Sequence, residues 1–122
     1  MFKLEKLTVW QKSIVFADLV YVATRSFPVD ERFGLTNQIR RAATSLASNI
    51  AEGSARSDPD FSRFIGYAVG SLYEVVTQSH VARRQGFLPE EQFTRIYADA
   101  EEISRMLSGL RGRLDGPNNP SG

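Results

Sequence analysis

Apolar side chains recur along this chain at steps of three and four residues, the spacing of α-helices that bury one face. Residues 36–56 show the pattern most clearly. Their apolar stripe comprises Ile39, Ala42, Ala43, Leu46, Ile50 and Gly53. No segment alternates with the period of two that a half-buried strand requires, so we expect no β-sheet.

Proline, glycine and capping residues divide the chain into four predicted helices. These helices cover about residues 9–26, 36–56, 59–85 and 89–114. Thr8 and Gln11 form a candidate capping box for the first helix, and Thr36 is the candidate N-cap of the second. Asp58, just before a proline, is the candidate N-cap of the third helix. Gly86 is predicted to end that helix in the left-handed conformation.

Short connections between long helices favour antiparallel neighbours. We therefore predict an all-α fold, an antiparallel up-down-up-down four-helix bundle formed by residues 1–114. Residues 115–122, DGPNNPSG, have little to bury and are predicted to be a disordered tail. The length of 122 residues fits one domain.

The first helix is apolar over much of its circumference. Phe16, Leu19, Val20 and Val22 widen its stripe well beyond a single face. A helix of this kind needs burial on two sides, which indicates packing against another chain. We therefore expect an oligomer.

A second, polar stripe runs along residues 36–56, roughly a quarter-turn from the apolar stripe. It comprises Gln38, Arg41, Ser45, Asn49, Glu52 and Arg56. Since this stripe flanks the buried face, its side chains are expected at the seam with the next helix. An antiparallel neighbour would pair Arg41 with Glu74, Ser45 with Gly70, Asn49 with Gly66, and Glu52 with Arg63.

Two interpretations of this seam are open. Two crossed ion pairs would bracket a centre where Gly66 and Gly70 let the helices approach closely. Such a polar network specifies which helices pair and in which register. The same side chains could instead line a groove for a ligand.

Composition excludes several kinds of chemistry. The chain has no cysteine, which rules out disulfides, thiolate catalysis and cysteine-ligated metals. The single histidine, His80, lacks the Glu-x-x-His spacing of di-iron bundles and has no acid on its own helical face for nucleophilic catalysis. We therefore predict no enzyme activity, no cofactor and no bound metal. With no apolar run long enough for a membrane and no leader pattern, we expect a cytoplasmic protein.

The net charge of +1 is too small to hold a monomer on nucleic acid. Such binding needs a local patch or an oligomer that concentrates charge. In the predicted bundle, one pole gathers Lys3, Lys6, Arg56, Arg111 and Arg113. These cations could contact phosphates, although the dipole of the fourth helix also favours arginines at its C-terminus, and three aspartates share the pole.

Several motifs resemble a known family. They are LTVWQK at residues 7–12, FP at 27–28, FGL at 33–35, QIRRAA at 38–43, Ser45, NIAEG at 49–53 and AVGSLxE at 68–74, where x is any residue. Over about residues 4–110 the chain resembles the four-helix-bundle proteins encoded by intervening sequences of bacterial large-subunit ribosomal RNA genes.

The resemblance implies a small bacterial bundle that assembles as a homopentamer. A related group, the accessory proteins of diversity-generating retroelements, are basic pentamers that bind nucleic acid and the reverse transcriptase. This chain departs from that group in being nearly neutral. The family motifs include the seam residues, which favours an architectural role for them.

We therefore expect a homopentameric, non-enzymatic binding or scaffold module whose partner is RNA or a ribonucleoprotein. The first alternative is a protein-binding adaptor with no nucleic-acid role. The second is a bundle that binds a small molecule or a metal, which the lone histidine and the absence of cysteine disfavour.

Overall fold

The computed structural model describes residues 1–116 and contains four long α-helices. They are α1 (Thr8–Thr24), α2 (Leu35–Ser54), α3 (Asp58–Arg84) and α4 (Glu90–Asp115). Two short 3₁₀ turns, Lys3–Lys6 and Val29–Glu31, precede α1 and α2. Residues 1–116 contain no β-strand, so the predicted all-α class is confirmed. None of the helices in this part of the chain is long and apolar enough to cross a membrane.

One hydrophobic core joins all four helices. Its largest fully buried aliphatic and aromatic side chains are Phe16, Val20, Ile39, Leu46, Ile50, Ile65, Leu72, Val75, Ile96, Ile103 and Leu107. The apolar stripe predicted for α2 is buried from Ile39 to Gly53. Trp10, the only tryptophan, is half-buried and packs against this core from α1. Since each buried side chain of this size stabilises the fold by roughly 1.5–3 kcal/mol, the shared core holds the helices together.

The start of α1 differs from its prediction. Thr8 is the first helical residue, and Leu7 is the N-cap without a side-chain hydrogen bond. The side chain of Gln11 donates to the carbonyl oxygen of Glu5, over 2.7 Å. The predicted capping box is therefore wrong, because Thr8 lies inside the helix and the side chain of Gln11 bonds to the preceding 3₁₀ turn.

The predicted N-caps of α2 and α3 are also displaced. Gly34 is the N-cap of α2, and Thr36 is buried inside the helix. Ser57 precedes α3, so Asp58 lies within the first turn, where its carboxylate interacts favourably with the helix dipole. Both helices begin slightly earlier than predicted, since Thr36 and Asp58 lie inside the first turns and not before them.

The ends of α3 and α4 bear on two further predictions. Gly86 has a φ of 78°, and the N–H of Phe87 donates to the carbonyl of Ala82, which confirms the left-handed ending of α3. Asp115 is the last residue of α4, and its carboxylate accepts a hydrogen bond of 2.6 Å from Ser62. The predicted tail therefore begins too early at residue 115, and its residues 117–122 lie outside the described residues.

One side of α1 is buried, and the exposed side carries several apolar side chains. Phe16 and Val20 face the core, while Val15 is 60% exposed and Val22 is 47% exposed. Ile14 and Tyr21 extend the exposed surface. We refer to the four exposed side chains, Ile14, Val15, Tyr21 and Val22, as the α1 outer face.

Candidate functional site

The predicted polar seam lies between α2 and α3, with a register that differs by one residue. The hydroxyl of Ser71 donates to the hydroxyl oxygen of Ser45 over 3.0 Å. The side-chain amide of Asn49 donates to the carbonyl and hydroxyl oxygens of Ser45, over 2.9 and 3.1 Å. Ser45 therefore meets Ser71 and not Gly70. Asn49 bonds within its own helix and not across to α3.

The predicted crossed ion pairs are not formed. Arg56 pairs with Glu52 over 3.5 Å, and Arg63 pairs with Asp60 over 3.2 Å. These partners lie only three or four residues apart in the sequence, so they reach each other more easily than residues across the seam do. The predicted pairing of Glu52 with Arg63 is therefore wrong.

Arg41 and Glu74 also do not form the predicted ion pair. Within residues 1–116 neither side chain has an oppositely charged group within 4.0 Å. Both residues line one groove, so the structure brings them to the same place without direct contact.

The close approach of α2 and α3 occurs at a different glycine from those predicted. A Cβ atom added to Gly53 would lie 2.7 Å from Cβ of Phe64 and 2.8 Å from Cδ1 of Phe61. A Cβ atom added to Gly66 would instead face the guanidinium of Arg111 on α4, and one added to Gly70 would have no described neighbour within 4 Å. The signal was present in the sequence, since Gly53 occupies an apolar-stripe position where a large side chain is otherwise expected.

The first candidate site is the α2–α3 groove, a cavity of about 440 Å³. It is lined by Asn37, Gln38, Arg41, Ala42, Ser45, Ser71, Glu74 and Gln78. Four of these residues, Gln38, Arg41, Ser45 and Glu74, belong to the predicted seam. All but Ala42 carry polar side chains, so the groove suits a polar ligand.

The second candidate site is the basic cleft, a cavity of about 510 Å³ between the start of α1 and the last turns of α4. Its lining comprises Lys6, Leu7, Thr8, Val9, Arg105, Met106, Gly109, Leu110 and Arg113. Among the described residues, no carboxylate lines it. The nearby Glu5 carboxylate accepts a hydrogen bond from the N–H of Phe2 instead. The cleft therefore presents three cations without a neutralising partner from residues 1–116.

The five cations predicted to share a pole are divided among several surroundings. Lys6 and Arg113 meet in the basic cleft. Arg111 donates to the hydroxyl of Ser62 over 3.2 Å and shares a separate cleft with Asp115. Arg56 pairs with Glu52 and lies 4.7 Å above the Phe64 ring, and Lys3 is exposed on the first 3₁₀ turn.

Sequence reasoning missed Arg105, the third cation of the basic cleft. A signal for it exists in the spacing of α4, where Arg105, Gly109 and Arg113 recur at steps of four on one helical face. Arg105 lies away from the helix terminus, so the helix dipole does not account for its charge.

His80 has a packing role at the α3–α4 contact. Its ring lies edge-on to Phe93 with centroids 4.9 Å apart, and Tyr97 follows at 6.2 Å. Within the described part of the chain, no three His, Asp or Glu side chains converge as metal ligands.

These features define a small all-α protein whose candidate sites are open surfaces between helices. A family model of the 23S rRNA-intervening sequence proteins matches residues 5–109, and the chain belongs to this family. The resemblance inferred from the sequence motifs is thereby confirmed. The matched residues include the whole α2–α3 groove and, in the basic cleft, Lys6 and Arg105.

The chain is also similar to a protein of known structure. This is a protein with unknown function from the S23 ribosomal protein family of Bacteroides thetaiotaomicron VPI-5482. The two chains are 28% identical, and their structures align with a TM-score of 0.77. The alignment covers 85% of this chain and 98% of the other. No curated protein is a significant match.

Proposed function

We propose that this protein is a non-enzymatic, homo-oligomeric binding module whose partner is RNA or a ribonucleoprotein. The observation that carries this proposal is the basic cleft, where Lys6, Arg105 and Arg113 line one cavity that no carboxylate of residues 1–116 lines. Lysine and arginine are the side chains that most often contact nucleic-acid phosphates. An RNA partner also makes the cytoplasm the proposed site of action.

Four cations elsewhere in the described part of the chain are neutralised by a nearby carboxylate, unlike those of the cleft. Lys12, Arg56, Arg63 and Arg83 each have a carboxylate within 4.0 Å. Within residues 1–116 the three cleft cations have none. Their charge therefore acts on solvent and on whatever binds there, which is the electrostatic requirement for phosphate contact.

Assembly would compensate for the small net charge of a single chain. We propose a homopentamer, the state that the family resemblance implies. The α1 outer face supports self-association, because a group of exposed apolar side chains is typical of protein interfaces. Five clefts on one particle would bind a single RNA with higher avidity than one cleft does.

We propose an up-down-up-down course for the four helices. Gly53 of α2 lies beside Phe61 near the α2–α3 connection, while Ser45 meets Ser71 farther from it. The contacts between α3 and α4 follow the same trend. His80 contacts Phe93 near the connection, and Ser62 contacts Asp115 far from it. In antiparallel neighbours, the two residues of a contact lie at similar distances along the chain from the connection between the helices.

Equilibrium titration of a labelled single-stranded RNA, at low and at moderate salt, tests the proposed partner. For an RNA short enough to occupy one cleft, three phosphate contacts predict a slope of about −2 for log affinity against log salt concentration. The triple variant Lys6→Gln, Arg105→Gln, Arg113→Gln should bind more weakly at low salt and show a slope near zero.

A matched control removes the same charge elsewhere. Arg25, Arg84 and Arg95 are exposed cations outside the basic cleft, and their triple glutamine variant should retain affinity and slope. Equal losses in the two variants would reduce the effect to bulk charge. A wild-type protein with no salt-dependent binding would contradict the RNA proposal and favour the protein-binding adaptor.

A further inference from the structure

The α2–α3 groove carries a cation and an anion that do not neutralise each other. Arg41 extends from α2 and Glu74 from α3, and both line the same cavity. No oppositely charged group within residues 1–116 lies within 4.0 Å of either. Because these side chains are exposed and have room to move, a ligand with both charges can complement them without disturbing the core.

Hydrogen-bonding groups lie beside this charged pair. The hydroxyl oxygen of Ser45 accepts hydrogen bonds from Ser71 and from Asn49, so its own hydrogen is not used in either bond. That hydrogen is available to a ligand acceptor. At the other end of the groove, Gln78 has a solvent-shielded side-chain oxygen with no hydrogen-bond partner in the described chain.

The register of the seam fixes how these groups are ordered. Ser45 meets Ser71, and one helical turn away in each helix lie Arg41 and Glu74. The two charges therefore lie on opposite walls at about the same height along the groove. A compact dipolar molecule fits this arrangement better than an extended one, whose charges would lie farther apart.

We propose that the α2–α3 groove binds a free α-amino acid, with its carboxylate on Arg41 and its ammonium group on Glu74. In an α-amino acid both charges are carried on one carbon, which matches a cation and an anion on facing helices. The groove volume of about 440 Å³ is within the range of small-molecule sites. The site shares no residue with the basic cleft, so it does not depend on RNA binding.

Calorimetric titration of the full chain with glycine, serine and glutamine tests the proposal. At least one of these should bind at millimolar concentration or below, whereas acetate and methylammonium, each with a single charge, should not. Arg41→Gln and Glu74→Gln should each weaken binding by roughly tenfold, the effect expected on losing charge-assisted hydrogen bonds. Arg95→Gln and Glu91→Gln, exposed on α4 outside the groove, should bind as the wild type does.

Three outcomes would overturn the assignment. They are no binding of any of the amino acids, equal binding of the singly charged compounds, and binding of glycylglycine as tight as that of glycine. Circular dichroism and thermal melting of each variant establish that an affinity loss does not reflect unfolding. Loss of RNA binding in the basic-cleft variant would leave amino-acid binding unchanged, so the two proposals fail separately.

Discussion

Gly53 is a residue at which α2 and α3 approach closely. Its α-carbon faces the ring of Phe61 and the Cβ atom of Phe64, and an added methyl group would lie within 3.0 Å of both residues. Both phenylalanines belong to the first turns of α3, where the connection to α2 leaves little freedom to separate the helices. Any larger side chain at Gly53 would therefore destabilise the packing of α2 against α3.

Replacing this glycine should destabilise the protein although alanine is the better helix former. We expect Gly53→Ala to lower the free energy of unfolding by roughly 1–3 kcal/mol, since overpacking outweighs helix propensity. Gly70→Ala is the matched control, because its new methyl group meets no described atom within 4 Å. It should raise the free energy of unfolding by roughly 0.5–1 kcal/mol. Urea unfolding measures both changes, and the same sign for the two would contradict the assigned contact.

The sequence patterns predicted which residues are buried better than they predicted which side chains form hydrogen bonds or ion pairs with each other. Burial follows from a stripe of many positions, so a small error in helix bounds leaves Ile39 or Ile50 on the same face. A bond across the seam depends on one residue, and a shift of one position turns a side chain by about 100° around the helix. That shift is why Ser45 meets Ser71, and opposite charges nearby in the sequence explain why Glu52 and Arg63 pair locally.

At the scale of helices, the hydroxyl pair of Ser45 and Ser71 reports the register of α2 against α3. The two serines lie far apart in the sequence, and each is next to a buried leucine, Leu46 on α2 and Leu72 on α3. Sliding either helix by a turn would separate the two hydroxyls and expose those leucines. The register is therefore held mainly by apolar packing, and the polar groups follow from it.

An engineered disulfide tests this register without interference, since the chain has no cysteine of its own. The variant Ser45→Cys, Ser71→Cys should oxidise readily to an intramolecular disulfide, because the two hydroxyl oxygens are only 3.0 Å apart. The control Ser45→Cys, Gly70→Cys should oxidise much more slowly. Thiol titration and non-reducing electrophoresis follow the reaction, and faster oxidation of the control would support the register predicted from the sequence.

Helix ends were predictable to within about two residues, and the groups that cap them were not. Prolines and glycines act through their own backbone, so Gly86 could be located from the sequence alone. A side chain that could cap a helix can instead form other hydrogen bonds nearby. The carbonyl of Glu5 captures Gln11 in this way, which only the fold of the preceding 3₁₀ turn makes possible.

For the whole molecule, the α1 outer face is the feature that a single chain does not explain. A core-facing helix usually turns polar residues outward, yet α1 exposes Ile14, Val15, Tyr21 and Val22. Exposed apolar groups of this kind weaken solubility unless a partner covers them. A second copy of the chain is the partner that the proposed homopentamer supplies.

Charges on this face should break the assembly and leave the chain folded. Wild-type protein is expected to show five times the chain mass of 13.6 kDa in solution. Val15→Asp with Val22→Asp, seven residues apart on one face, should give a folded monomer. The control Val29→Asp with Val81→Asp alters exposed valines elsewhere and should keep the wild-type mass. Light scattering after size exclusion measures the mass, and a monomeric wild type would contradict the proposed role of α1.

The all-α class followed from periodicity because it is a property of the whole chain. The sites between helices followed only in part, because they depend on which surfaces meet. Lys6 and Arg113 are distant in the sequence, and their meeting with Arg105 required the fold. A ligand groove is one of the two interpretations that the polar stripe leaves open. Since Arg41 and Glu74 form no ion pair with each other, substituting either residue tests that interpretation.

Trp10 gives the protein an optical reporter of its own. Its indole ring is half-buried against the core, and its neighbours in sequence, Thr8 and Val9, line the basic cleft. Since the emission of an indole responds to the polarity around it, a molecule that enters the cleft should change the wavelength or the intensity of the tryptophan fluorescence. The α2–α3 groove contains no residue of α1, so an occupant there should leave that emission unaltered. The fluorescence of unlabelled protein can therefore report occupation of the basic cleft, whether or not the groove is filled.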